Sequence, residues 1–303
     1  MTHVPVLLNE VIEGLDLRAG KFIIDGTVSG GGHSAAILEK IMPGGMLLGV
    51  DWDKNILDRT RKDFESRYKL QANSYKLVHS SYTEIPEILK RESLGKADGL
   101  LLDLGFSSEQ LEAKRGFSYR GESRLNEPLD MRYDTTIDEP TAAEVVNGFK
   151  EEDLADVFWK YGEERFARRI AHGIVEERKK KRIITVGELT EAIRKSVPQF
   201  FKKGESDVTM RIFQALRIYV NKELENVEDI LGKLEEIVKP GARVAIITFH
   251  SLEDRLVKNK FKELEIAKKV KIINKKPIAP TDEEVSQNPR SRSAKLRILE
   301  INQ

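Results

Sequence analysis

Three apolar runs in this chain end in aspartate: F-I-I-D at 22–25, M-L-L-G-V-D at 46–51 and D-G-L-L-L-D at 98–103. Each is short, apolar and flanked by turn residues, the pattern of a buried strand, and segments of helical spacing lie between them. Expected strands at Phe22–Asp25, Met46–Asp51, Ser74–Val78 and Asp98–Asp103 alternate with helices at Ser34–Ile41, Lys54–Tyr68 and Ile85–Glu92, after a short amphipathic helix at His3–Leu17. Strands alternating with 10–15-residue helices imply an α/β fold with a doubly wound, mostly parallel sheet. In such sheets ligands bind outside the carboxyl ends of the strands, where these three acids stand.

After Leu104 the rhythm stops. Residues 105–140 read as loop, and from Thr141 to about Phe201 the periodic segments are all helical: Ala142–Asn147, Glu151–Tyr161, Glu164–Lys180 and Val186–Ser196. An all-α insertion at 109–204 follows, dividing the sheet domain into 1–108 and 205–303. A long helix is expected at Val208–Val238, then strand Ala242–Phe249, helix Leu252–Leu264 and closing strands at Val270–Ile273 and Lys295–Ile301.

The first strand runs into Gly26, Ser29, Gly30, Gly31 and Gly32 and then a helix start. Glycines let backbone approach a ligand closely, and the first N–H groups of a helix point toward it. Asp51 follows Gly31 by 20 residues, a spacing suited to ribose hydroxyls. A single aspartate in such a place is as often a helix cap, but the turn, Asp51 and Asp103 together point to a nucleoside-containing cofactor. The turn lacks the G-x-G-x-x-G of a pyrophosphate cradle. Its D-x-T-x-S-x-G form, at Asp25, Thr27, Ser29 and Gly31, is a degraded D-x-G-x-G-x-G and favours S-adenosylmethionine over a nicotinamide. Tyr82, beyond the third strand, offers a ring for an adenine, or is a core tyrosine. Asp103-Leu104-Gly105-Phe106 keeps the acid and the aromatic of the Asp/Asn-Pro-Pro-aromatic turn found in amino-group methyltransferases, without its prolines.

Composition narrows the partners. There is no cysteine, so disulfides and thiolate metal sites are excluded and a cytoplasmic location is expected. No apolar run reaches the roughly 18 residues of a membrane helix, and no signal peptide is evident. Fifty-one basic residues balance 50 acidic ones, so nucleic-acid binding has to rest on local patches. Two candidates are Arg165, Arg168 and Arg169 with the run Arg178–Arg182, and Lys268–Lys276 with Arg290, Arg292, Lys295 and Arg297. Five histidines without ligand spacing give no reason to expect a metal.

Eight segments in order then carry a resemblance. They are D-G-T-V-S-G-G-G-H-S (25–34), D-L-G-F-S-S-E-Q-L (103–111), R-G-F-S-Y (115–119), P-L-D-M-R (128–132), Y-G-E-E-R-F-A-R-R-I-A (161–171), F-Q-A-L-R-I (213–218), F-H-S-L-E-D-R (249–255) and N-P-R-S-R-S-A-K-L-R (288–297). From about His3 onward the chain resembles bacterial 16S rRNA cytosine-N4 methyltransferases, which modify a cytidine of the decoding centre. The resemblance implies a Rossmann-like, seven-stranded methyltransferase sheet, S-adenosylmethionine as methyl donor, no metal, and 16S rRNA within the small ribosomal subunit as partner for a monomer or homodimer. It implies cofactor contacts at Gly31, Gly32, His33, Asp51, Tyr82, Asp103 and Gln110. Asp103 and Phe106 become the expected catalytic pair, holding and stacking on the base, while His250 and Ser251 are expected either to line the base pocket or to cap the following helix, and Arg290 and Arg292 to contact RNA phosphates. The chain departs from the family at two places. Ser29 replaces a common glycine, so its backbone is expected outside a glycine-only conformation, and only Arg211 survives of a frequent H-P-A-T-R-T before F-Q-A-L-R-I. The competing readings are an enzyme for another amine acceptor (DNA, protein or a small molecule) and a cofactor-dependent RNA-binding module without turnover.

Overall fold

Side chains of successive strand residues point to opposite faces, and every central strand of this chain is apolar on both. The computed structural model describes residues 5–66, 73–105, 111, 113–198 and 205–303, with backbone alone at 205–207. Its sheet comprises β1 (Phe22–Asp25), β2 (Met46–Asp51), β3 (Tyr75–His79), β4 (Ala97–Asp103), β5 (Val238–Thr248), β6 (Val270–Ile272) and β7 (Lys295–Ile301), in the order β3-β2-β1-β4-β5-β7-β6. The first five strands run parallel, and β7 lies antiparallel between β5 and β6. This is the doubly wound, mostly parallel seven-stranded sheet expected from the sequence.

The helices are α1 (Leu8–Gly14), α2 (Gly32–Ile41), α3 (Lys54–Ser66), α4 (Ile85–Arg91), α5 (Ala142–Gly148), α6 (Glu151–Gly162), α7 (Ala167–Lys180), α8 (Val186–Ser196), α9 (Glu205–Val220), α10 (Glu223–Gly232), α11 (Leu234–Ile237), α12 (Ser251–Ile266) and α13 (Asp282–Gln287). Ile23, Leu47, Leu101, Ala245 and Ile247 face one sheet side with residues of α1, α2 and α3. Their neighbours Ile24, Leu48, Leu100, Leu102, Val244 and Ile246 face the other side with residues of α4, α10, α11 and α12. Two-sided burial gives these strands their uninterrupted apolar sequences.

Two compact units emerge: Met1–Ser107 with Leu224–Gln303, which holds the sheet, and Ser108–Glu223, which is helical. The return to the sheet unit was expected at residue 205 and occurs at 224. The expected Val208–Val238 helix is broken, because Lys222 takes φ 50° and Asn221 turns its side chain onto other backbone. Asn221 Nδ2 donates to the Met131 carbonyl at 2.8 Å, and its Oδ1 accepts from Tyr133 N at 2.8 Å. Helix α9 therefore belongs to the helical unit. There α5 and α8 begin at capping boxes, Thr141 with Glu144 and Thr185 with Glu188, each supplying two otherwise missing hydrogen bonds. In the same unit Glu164 is fully buried and meets Arg211 Nη2 at 2.6 Å and Nε at 2.8 Å. Arg217 forks onto Glu223 at 2.8 and 3.0 Å. The retained Arg211 thus joins Y-G-E-E-R-F to the α9 motif as a structural pair.

Candidate active site

The site is built at the C-terminal ends of β1, β2 and β4, where the strand order reverses direction. Beyond Asp25 the chain turns through Thr27 and Ser29 into α2, whose N-cap is Gly31 at φ 75°. A Cβ on Gly31 would stand 2.6 Å from Thr60 Cγ2 and 2.9 Å from Phe64 Cε1, so the position requires glycine both for conformation and for space. Gly32 begins α2 beside Pro5, whose ring would meet a Cβ there at 2.8 Å. Ser29 stands at φ 47°, in the left-handed region that favours glycine, which corrects the expectation drawn from its replacing one. The conformation is held from both sides: Ser29 N donates to Asp51 Oδ2 at 2.8 Å, and Thr60 Oγ1 donates to the Ser29 carbonyl at 3.0 Å.

The three strand-end aspartates are tied to this turn. Asp25 accepts from Ser34 Oγ at 2.6 Å and from Thr27 N at 3.1 Å. Asp51 accepts from Ser29 N and, at 2.9 Å, from Asp53 N. Thr27 Oγ1 accepts the Asp103 N–H at 2.6 Å, an adjustment of β4 to β1 that the sequence did not announce. Burial pushes Asp25 and Asp51 up to about 6 and Asp103 up to about 7, the last helped by the negative charges of Asp25 and Glu253. His33, 5% exposed, presents Nε2 to the Val6 carbonyl at 2.9 Å and Nδ1 to Asp103 Oδ2 at 3.7 Å.

Tyr82 is buried and packs edge-on against Trp52, with ring centroids 5.9 Å apart. Trp52 is an aromatic directly after Asp51 that sequence reasoning passed over. Phe106 and Gln110 lie outside the described residues. His250 is the N-cap of α12: its Nδ1 accepts from Glu253 N at 3.3 Å and its Nε2 lies 3.0 Å from Glu253 Oε1. Nδ1 is thus engaged in capping, while the buried Nε2 faces the Glu253 carboxylate. Ser251 is exposed at the first position of that helix.

The basic clusters divide sharply. Arg290 and Arg292 are exposed on the 3-10 turn Pro289–Ser293, pinned by the buried Ser291 through its hydroxyl to the Asn288 carbonyl. Arg297 is buried and donates to Asp254 at 2.7 Å, so it does not belong to an outward patch, while the half-buried Lys295 lies 3.3 Å from the same carboxylate. In the helical unit Arg169 donates to the Ser196 carbonyl and Arg178 to that of Val146. Lys179, Lys180 and Lys181 pair with Glu176, Glu177 and Glu188. That run is largely a self-neutralised surface. No helix among the described residues is long and apolar enough to cross a membrane.

Fold and strand-end site define a class, the α/β methyltransferases with a seven-stranded sheet. The chain belongs to the MraW methylase family, whose model matches residues 1–302. It is 44% identical over 314 residues to ribosomal RNA small subunit methyltransferase H of Clostridioides difficile (strain 630), covering 98% of both chains. It is 42% identical over 301 residues to the protein of that name from Dictyoglomus turgidum and 40% over 315 residues to that from Brevibacillus brevis, covering 98% of this chain and 97% of each relative.

Proposed function

We propose that this protein transfers a methyl group from S-adenosylmethionine to the exocyclic N4 amine of a cytidine in the decoding centre of 16S rRNA. The observation that carries the reading is the hydrogen-bonded unit of glycine turn and strand-end acids: Ser29 to Asp51, and Thr27 to Asp103. Its donor set fits the cofactor. Asp51 gives one lone pair per oxygen to backbone N–H groups and keeps others for ribose hydroxyls. The turn at Gly31 and Gly32 leaves no room for side chains of its own. Buried carboxylates suit a ligand that carries positive charge. In this reading Gly31, Gly32, His33, Asp51, Tyr82, Asp103 and Gln110 hold the cofactor, which supplies an electrophilic methyl carbon when bound.

Cytosine N4 is a weak nucleophile, because its lone pair is delocalised into the ring, so catalysis rests on alignment. Asp103 accepts a hydrogen bond from the amine and aims its lone pair, and Phe106 stacks on the base. A base doing this chemistry must leave any stack it occupies. Arg290 and Arg292, exposed on a pinned turn, contact phosphates, and Ser251 lies with the base. The helical unit serves as the substrate-reading lobe. Small subunits lacking the modification, incubated with protein and labelled donor, should acquire label at cytidine N4. Label on another acceptor, or cofactor-dependent binding without label, would replace this reading with one of its competitors.

A further inference from the structure

His33 has a fixed orientation and an unusual neighbour. A carbonyl oxygen only accepts, so the Nε2 that faces Val6 O at 2.9 Å carries the hydrogen. In the neutral ring the lone pair is then on Nδ1, which faces Asp103 Oδ2 at 3.7 Å. Both residues are under 10% exposed, so no bulk water separates the charges. A bare nitrogen and a carboxylate held face to face repel, and one proton between them turns repulsion into attraction. The other groups acting on Asp103 favour taking up that proton: Asp25 on β1 and Glu253 on α12 are both acidic, and the hydrogen bond its carboxylate accepts from Gly105 N is a long one, 3.5 Å. Burial and these acids bring Asp103 up to about 7.

We propose that His33 is a positioning residue that keeps Asp103 in its proton-accepting form, by receiving on Nδ1 the proton that Asp103 takes from the amine. The inference rests on the functional reading above, in which Asp103 meets N4. The step balances. As the amine nitrogen bonds to the methyl carbon, the carbon–sulfur electron pair stays on sulfur, and the amine is left with one proton too many. Asp103 accepts that proton through Oδ2, passes it to Nδ1 when the 3.7 Å gap closes to hydrogen-bond length, and is again a carboxylate. His33 then releases it to solvent as product leaves. The Val6 carbonyl holds the ring so that Nδ1, and not Nε2, is the receiving atom.

Two measurements test this. In cofactor-free protein, the titration midpoint of the His33 ring followed by NMR should move by about one pH unit on Asp103→Asn. The second uses His33→Gln, which keeps an Nε2 donor for Val6 but has no titratable nitrogen. At saturating S-adenosylmethionine its single-turnover methyl transfer to small subunits should fall about 10²-fold below wild type, and the midpoint of its rise with pH should move away from the wild-type one. His33→Gln with a wild-type rate and pH profile, or a His33 midpoint indifferent to Asp103→Asn, overturns the inference even where wild-type protein methylates normally. Wild-type protein that labels no cytidine instead removes the functional reading, and the catalytic half of the inference with it.

Discussion

Glu164 in the helical unit and Asp103 in the sheet unit are both buried carboxylates, and their surroundings differ in kind. Glu164 meets both nitrogens of a guanidinium fork and accepts the Phe166 N–H at 2.8 Å. Asp103 faces an imidazole at 3.7 Å and has the charges of Asp25 and Glu253 near it. The helical unit treats its charges as fasteners: Arg217 with Glu223 and Arg132 with Asp130 repeat the pattern. At the strand ends, backbone N–H groups and hydroxyls orient the acids but leave them short of positive charge. Completed ion pairs mark architecture in the helical unit, and in the function proposed above the strand-end acids are where a cationic ligand binds.

Removing a fastener should produce the largest effect. Arg211→Ala strands Glu164 without its cation and should lower unfolding free energy by about 3–5 kcal/mol in urea titration, with much of the loss recovered in the Glu164→Gln, Arg211→Met double variant. Gly31→Ala forces a side chain into the left-handed region against Thr60 and Phe64. It should destabilise by about 2–4 kcal/mol and weaken S-adenosylmethionine binding in calorimetry.

Asp103→Asn should have the opposite sign. It removes a buried charge and should raise stability at pH 7.5 by on the order of 1–3 kcal/mol, read as a higher Tm, while methyl transfer is lost. A variant both destabilised and active would erase the contrast. The same logic gives the pH dependence. Asp25 and Asp51 at about 6 and Asp103 at about 7 stand above the ordinary carboxylate value of 3.8, so the folded protein binds more protons than the unfolded chain in that range. Their contribution is fully present below about pH 4 and is lost as pH rises through 6 to 7. Cofactor-free protein should therefore show this part of its stability fall by on the order of 5 kcal/mol between pH 5 and 7.5, and the fall should be roughly halved in Asp103→Asn. At the small end, Lys179→Ala opens one exposed pair and should change stability by less than about 0.5 kcal/mol.

Much of the sheet and its site was legible because two local patterns, apolar runs with terminal acids and a glycine turn, carry the information. Asp25, Asp51 and Asp103 sit where their strands end because a parallel sheet puts all such ends on one side. The break at Asn221 was hidden. Apolar periodicity runs through it, and what interrupts the helix is a pair of hydrogen bonds to Met131 and Tyr133, some 90 residues away in sequence. The left-handed Ser29 was hidden for a related reason, since its conformation is held by Asp51 and Thr60 from two other elements. Charge runs were the least legible. A lysine reads the same whether it faces solvent or a glutamate one turn away, and Arg297 looked like part of a basic tail while it pairs with buried Asp254.

The strand order has a consequence in time. β4, which ends in Asp103, pairs with β5 across some 140 residues, and β5 is flanked on its other side by β7, near residue 300. As the chain emerges from the ribosome, the helical segment is complete by residue 223, whereas β4 has one open edge until β5 arrives and β5 has one until β7 does. Pairings of such long sequence separation form slowly. The acids that define the site are therefore set in their final frame only after residues near 300 have been made, so a chain terminated before β7 can carry the whole glycine turn and still lack the sheet that aims it.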